Sequence, residues 1–190
     1  VPRAGLDRAR LVRAGAELAD EAGFAGVTLS ALAARFGVRP ASLYAHVGGL
    51  ADLSAGITAL ALDELADRVG ADLAGRQGRD ALAAYARAHR TYAHEHPGRY
   101  EAARAPLAEP SPDAVRAGGR NADLAFAVLR GYALPESEQV HAVRFLGATV
   151  HGFTALHSAF GHRAPDLEDS WERALDVLDA ALRGWPTPGG

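Results

Sequence analysis

Thr28-Leu29-Ser30-Ala31-Leu32-Ala33-Ala34-Arg35-Phe36-Gly37-Val38-Arg39-Pro40-Ala41-Ser42-Leu43-Tyr44-Ala45-His46-Val47 is the stretch that decides the fold. A Thr hydroxyl can accept a hydrogen bond from an N–H at the start of a helix. Thr28 therefore predicts a helix from about Leu29 to Phe36. Gly37 suits the left-handed position that ends it. Pro40 lacks an N–H and holds its φ in the helical range. It predicts the start of a second helix, running to about Val47. Leu32, Ala33, Phe36, Val38, Leu43 and Val47 fall at spacings that pack both helices on a preceding one. Arg39, Ala41, Ser42, Tyr44, Ala45 and His46 are left over. Two short helices joined by a tight Gly-containing turn make a helix-turn-helix. The leftover surface is small and rich in hydrogen-bonding groups, as a helix entering a DNA major groove requires.

Working outward, a first helix is predicted from about Leu6 to Ala22. Leu11, Ala14, Leu18 and Ala22 lie on one face, with Gly23 as a left-handed stop. The stretch Gly23-Phe24, Val27-Thr28-Leu29, Leu32-Ala33, Phe36-Gly37-Val38, Ser42-Leu43-Tyr44-Ala45-His46-Val47 and Leu53 resembles the DNA-binding domain of tetracycline-repressor-like (TetR) transcription regulators. The resemblance covers about residues 8–54. It implies phosphate contacts for Thr28 and Tyr44, and base reading by Arg39, Ala41 and Ser42. His46 is left to do either, or to pack at the domain junction. Blander roles stand beside these: Thr28 as a cap alone, Tyr44 as a half-buried packing residue, Arg39 as a solvated charge. Two departures are visible. Arg39 stands where many relatives have a small capping residue. Gly48-Gly49-Leu50 stands where relatives often carry a Lys. Arg3, Arg8 and Arg10 are candidates to replace that charge.

The whole chain has 190 residues, with 20 basic and 23 acidic side chains, a formal charge of −3, and neither Cys nor Met. Every full cation is an Arg. The missing Cys excludes a disulfide scaffold, a Cys-type zinc site and a thiol nucleophile. Residues 1–49 carry six Arg against Asp7, Glu17, Asp20 and Glu21, a net +2, while residues 50–190 sum to −5. The average charge therefore hides a basic reader. Ala and Leu make up about a third of the chain and no stretch alternates with strand formers, so the expected class is all-α with about nine helices. No run of 18 apolar residues exists, so no membrane span is expected. Arg3, Arg8, Arg10 and Arg13 interrupt the apolar stretch that a secretory leader needs, so a cytoplasmic location is expected.

The expected division is a DNA-binding domain over 1–49 and a helical ligand-binding and dimerisation domain over 50–190. Further helices are predicted at about 50–69, 79–95, 98–105, 112–131, 135–160 and 168–184. Gly70, Gly75 and Gly78 mark one loop. Pro106, Pro110 and Pro112 mark a second, and Ala164-Pro165-Asp166 a third. No hydrolase, Walker or zinc-protease motif is present, so no enzyme activity and no cofactor are expected. His94-Glu95-His96 places neighbours on different helix faces, which makes a metal site the poorer reading. Val140, Val143, Gly147, Val150 and Thr154 form one stripe, and Phe145, Thr149, Phe153, Leu156 and Phe160 another. A helix apolar on two sides is buried on two sides. Trp171, Leu175, Leu178 and Leu182 form a seam on the next helix. A dimer interface is thus expected at Val143, Gly147, Val150, Thr154, Trp171, Leu175, Leu178 and Leu182, with closure of a monomeric bundle as the alternative.

Residues 143–161, with His151-Gly152, resemble the regulatory domain of the TetR subgroup labelled by a W-H-G motif, although the Trp of that label is absent. That resemblance implies a ligand pocket among the central helices. Polar or aromatic residues there are His89, Tyr92, Tyr100, Arg104, Phe126, Arg130, Thr149 and His151. Arg104 or Arg130 inside a pocket would point to an anionic ligand. The reading that follows is a regulator, more specifically a repressor, that binds double-stranded operator DNA with two half-sites as a homodimer. A small-molecule effector releases it. A helical small-molecule carrier, or a protein-interaction module keeping the three helices as scaffold, is the alternative.

Overall fold

Three short runs of backbone chemistry set the first helices. In the computed structural model, which describes residues 5–106, 111–160 and 166–186, Asp7 caps α1 (Arg8–Ala22) by accepting the Arg10 N–H at 2.7 Å. Thr28 caps α2 (Leu29–Arg35), its Oγ accepting the Ala31 N–H at 3.1 Å. Between them a single 3₁₀ turn, Phe24–Gly26, carries the chain round. Gly23 has φ +79° but ψ 154°, so it ends α1 in an extended mirror-image conformation rather than the expected left-handed helical one. Gly37 has φ +64°, and the Val38 N–H returns to the Ala33 carbonyl at 3.0 Å.

The element after the turn is a 3₁₀ helix, Pro40–Ala45, and not the α-helix expected from 40 to 47. The Ser42 N–H bonds the Arg39 carbonyl and the His46 N–H bonds that of Leu43, the tighter i→i+3 pattern. The Val47 N–H returns to Leu43 in α-fashion at 3.0 Å, so the tightening is local. Longer helices follow: α3 (Leu50–Leu73), α4 (Gly78–Glu95), α5 (Pro97–Arg104), α6 (Pro112–Leu129), α7 (Glu136–Phe160) and α8 (Leu167–Arg183). There is no strand among the described residues. Gly70 lies inside α3 and not in a loop, because the buried Val69 and Ala66 keep that turn packed. The predictions at Arg3, Pro110 and Ala164-Pro165 lie outside the described residues.

The chain clusters into two compact units. One contains the residues up to Glu64 together with Glu95–Gly119, and the other contains Leu65–His94 together with the residues from Arg120 onward. In the first, Leu11, Ala16, Leu32, Leu43, Leu53 and Ile57 are fully buried. Each such Leu or Ile side chain contributes roughly 1.5–3 kcal/mol by leaving water. α5 lies directly against the end of α1. A Cβ on Gly98 would sit 1.9 Å from the Ala19 carbonyl oxygen, so only Gly permits this approach. Asp20 accepts the Arg99 N–H at 2.9 Å and faces the Arg99 Nε at 3.1 Å and the His96 Nδ1 at 3.3 Å. Glu101 accepts the Phe24 N–H at 2.9 Å.

In the second unit α7 and α8 run antiparallel. Phe153 meets Trp171 at 6.0 Å and Phe145 meets Trp185 at 5.9 Å between ring centres. The Trp185 Nε1–H donates to Glu138 at 3.1 Å. Arg90 stacks 4.9 Å over Trp171 and grips Glu168 at 2.8 and 3.0 Å. This packing turns most of the expected dimer stripe inward. Val150, Thr154, Trp171, Leu175, Leu178 and Leu182 are all buried by their own chain, and Val143 and Gly147 are half-buried. A side chain already removed from water cannot be the surface offered to a partner. The outward apolar residues are instead Val140, Phe145, Leu156 and Phe160 on α7 and Val177 on α8.

Candidate nucleic-acid interface

The 3₁₀ helix has one buried side and one open side. Leu43 is 0% exposed, and Val47 just beyond it is also buried. Tyr44 is 62% exposed, an unusual position for an aromatic ring in a well-packed three-helix unit. Arg39, Pro40, Ala41, Ser42 and Ala45 are exposed beside it, and His46 is half-buried. Thr28 is exposed while its hydroxyl serves as the cap of α2. The structure thus leaves Arg39, Ala41, Ser42 and Tyr44 on or beside one short helix with their side chains open. His46 lies between junction and surface. The Arg39 guanidinium carries donors only and is in no ion pair among the described residues, so its fork is open to a planar acceptor.

The surrounding charges are more committed than composition suggests. Arg35 is held by Glu17 at 2.8 Å and by both oxygens of Glu21, tying α2 to α1. Arg8, a candidate replacement for the missing Lys, pairs with Asp52 at 2.7 Å. Arg10 lies 5.4 Å from the Phe36 ring centre. Asp52 was not singled out by the sequence, yet it organises the start of α3. Its second oxygen accepts the Gly48 N–H at 2.9 Å, an acidic side chain in the first turn reaching back to cap its own helix. The Arg8 hydrogen bond, then the Gly48 N–H, hold the Asp52 carboxyl below the ordinary carboxylate range.

The second unit holds a cleft of about 490 Å³ where the C-terminal end of α3, the start of α4 and the end of α6 meet. Its walls include Leu73, Leu124, Ala127, Arg76, Gln77 and Arg130. Of the eight expected pocket residues only Arg130 lines it. His89 is buried with its Nδ1 2.9 Å from the Tyr85 carbonyl, and Tyr92 and Tyr100 are core residues. The Thr149 hydroxyl donates to the Phe145 carbonyl at 2.9 Å, a bond within α7. Phe126 and His151 are half-buried, and Arg104 is exposed. Tyr100 and Arg104 belong to the first unit and the other six to the second. The signal available in the sequence was Arg76-Gln77 between two loop glycines, Gly75 and Gly78. Among the described residues no group of three or more His, Asp and Glu side chains is placed to share a metal ion.

With this geometry in place, comparisons with known proteins agree at both ends of the chain. Residues 11–49 match the family described as bacterial regulatory proteins, tetR family, and residues 82–178 match a tetracyclin repressor-like C-terminal domain. The HTH-type transcriptional regulator YobS of Bacillus subtilis is 34% identical over 94% of this chain and 88% of its own length. An HTH-type transcriptional regulator of Mycobacterium tuberculosis is 34% identical over 80% of this chain and 71% of its own. Among solved structures, a TetR variant from Acinetobacter baumannii in complex with minocycline superposes with a TM-score of 0.72 at 23% identity. That match covers 96% of this chain and 99% of the other. BioQ of Mycobacterium smegmatis gives 0.71 at 20%, covering 95% and 100%.

Proposed function

The chain belongs to the TetR family of bacterial transcription regulators, and from that premise we propose that it is a repressor that binds operator DNA as a homodimer and is released by a small molecule. Residues 1–49 act as the DNA reader and residues 50–190 as the effector-binding and dimerisation part. The observation that carries the reading is the open side of the 3₁₀ helix. Tyr44 stands out beside Arg39, Ala41 and Ser42 while Leu43 is buried beneath them. A carrier or a scaffold has no use for an exposed phenol and guanidinium on one short helix. A phosphodiester backbone accepts hydrogen bonds from both.

In this reading Thr28 and Tyr44 hold phosphates, and Arg39, Ala41 and Ser42 meet base edges. His46 supports the junction or a phosphate. The dimer uses the outward apolar residues of α7 and α8, not the buried seam. It matches two half-sites one helical turn apart or a multiple of it, about 34–36 Å per turn. α3 contains residues of both compact units, so an effector acting at its C-terminal end can shift the reader. A useful switch needs a coupling of about 1–3 kcal/mol. The protein works in the cytoplasm, where its DNA is.

Fluorescence anisotropy with DNA from upstream of the protein's own gene, measured across a salt series, tests this directly. Sequence-selective binding that weakens steeply as salt rises is expected, because each phosphate contact releases counterions. The absence of selective binding under every condition, with or without small molecules from the same cells, would sink the proposal.

A further inference from the structure

We infer that the cleft at the C-terminal end of α3 binds an anionic amphiphile, a carboxylate or phosphate monoester on a short apolar body, gripped by Arg76 and Arg130. The inference deepens the effector reading above and rests on it for its regulatory meaning. Three observations point to this chemistry. The first is size: about 490 Å³ is within the range of small-molecule sites. The second is the division of its walls. Leu73, Leu124 and Ala127 are apolar, Arg76, Gln77 and Arg130 carry the donors, and no Asp or Glu is among the lining residues.

The third observation is how arginines are used in this unit. Arg79 is bound to Asp176 at 2.8 Å, Arg90 to Glu168, Arg120 to Asp67 at 2.6 Å, and Arg183 to Asp179 at 2.8 Å. Arg76 donates instead to the Asp72 backbone carbonyl, and the Arg130 guanidinium has no acid partner among the described residues. Two cations without an acid partner therefore share one cleft, while Arg79, Arg90, Arg120 and Arg183 of the same unit are each paired. Two guanidinium forks favour a planar or tetrahedral oxyanion. The wall is fixed by backbone contact, since a Cβ on Gly131 would lie 2.6 Å from the Gly78 nitrogen. That contact seats Arg130 beside the first turn of α4.

Titration calorimetry on the full chain with octanoate, octyl phosphate and neutral octanamide tests the inference. At least one of the two anions is expected to bind, and at least tenfold more tightly than octanamide. Which of the two binds better separates the carboxylate source from the phosphate source. Arg130→Gln and Arg76→Gln should each weaken the anion at least tenfold. Arg104→Gln, an exposed arginine outside the cleft, should leave it unchanged. Thermal melts confirm that the exposed Arg130→Gln substitution retains the fold. Equal binding of octanamide, no binding of either anion at millimolar concentration, or full binding by Arg130→Gln overturns the inference. Operator affinity is measured in parallel. An anion that binds through Arg130 without changing it upholds the site and removes the effector reading. A neutral compound that releases the operator, with no anion bound, does the reverse.

Discussion

Leu43 and Tyr44 in the reader, and Leu178 and Val177 in α8, are two pairs of neighbours that face opposite ways. Leu43 is 0% exposed and Tyr44 62%, while Leu178 is 1% exposed and Val177 66%. The buried members do the same work, each filling the core of its own unit. The exposed members differ in chemistry. Tyr44 ends in a hydroxyl and stands beside Arg39 and Ser42, so its surface can satisfy phosphate and base-edge groups. Val177 can satisfy nothing polar. An outward face with donors fits a nucleic acid, and an outward face without them fits another apolar protein surface, in the proposed dimer a second copy of the chain.

The largest effect should come from breaking the α8 pair on its outward side. Val177→Asp would bury two unpartnered carboxylates per dimer, and each uncompensated buried charge costs several kcal/mol. Light scattering should show a monomer whose circular dichroism is unchanged. A dimer that survives would move the interface away from this face. Next come the inward members. Leu43→Ala and Leu178→Ala should each destabilise by about 2–5 kcal/mol in urea unfolding. A loss well below that range at Leu178 would return the seam to the interface and dissolve the contrast.

The reader was legible because each of its short helices has one apolar side. Thr28, Gly37, Pro40 and Leu43 each admit a single local role, and the structure keeps all four. The 3₁₀ tightening of Pro40–Ala45 was not legible, since apolar spacing over six residues does not separate three from 3.6 residues per turn. α7 defeated the same method for a different reason. Its two apolar stripes are equally good by periodicity, and only packing decides which one the chain keeps. Burial of Leu146 at 0% and of Val150 and Thr154 at 2% settles it, and no local pattern announces that packing. The cleft was missed because its walls come from α3, α4 and α6. Arg130 was found by residue type, but Arg76 and Gln77 sat in a loop read only for its glycines.

Smaller effects sharpen the reader side. Arg39→Ala should relax discrimination at one base pair by about 1–3 kcal/mol in competition binding against single-site operator variants. Uniform weakening on every sequence would make Arg39 a phosphate contact instead. Thr28→Ala removes the cap seen at 3.1 Å and should cost about 1 kcal/mol of stability. Its loss of DNA affinity should exceed that stability cost at temperatures where the fold is intact. Equal losses would leave Thr28 as a cap alone.

The smallest effect tests how α3 is anchored to the reader. The Asp52 carboxyl titrates below its ordinary value near 3.8, first because of the Arg8 hydrogen bond and then because of the Gly48 N–H. A carboxyl depressed in the folded state stabilises the fold above its unfolded value, and that contribution disappears as pH falls through the folded value. Asp52 is 37% exposed and its partner 44%, so the pair is worth only about 0.2–1 kcal/mol. Asp52→Asn retains an oxygen for the Gly48 N–H and removes the charge. Urea unfolding of both proteins should show the native chain ahead by that margin at pH 7 and the gap closing between about pH 5 and pH 2. A gap that persists at pH 2 would assign the loss to altered packing at the start of α3. A gap absent at pH 7 would mean that Arg8 gains nothing from Asp52, and would return it to the pool of arginines free to meet a phosphate.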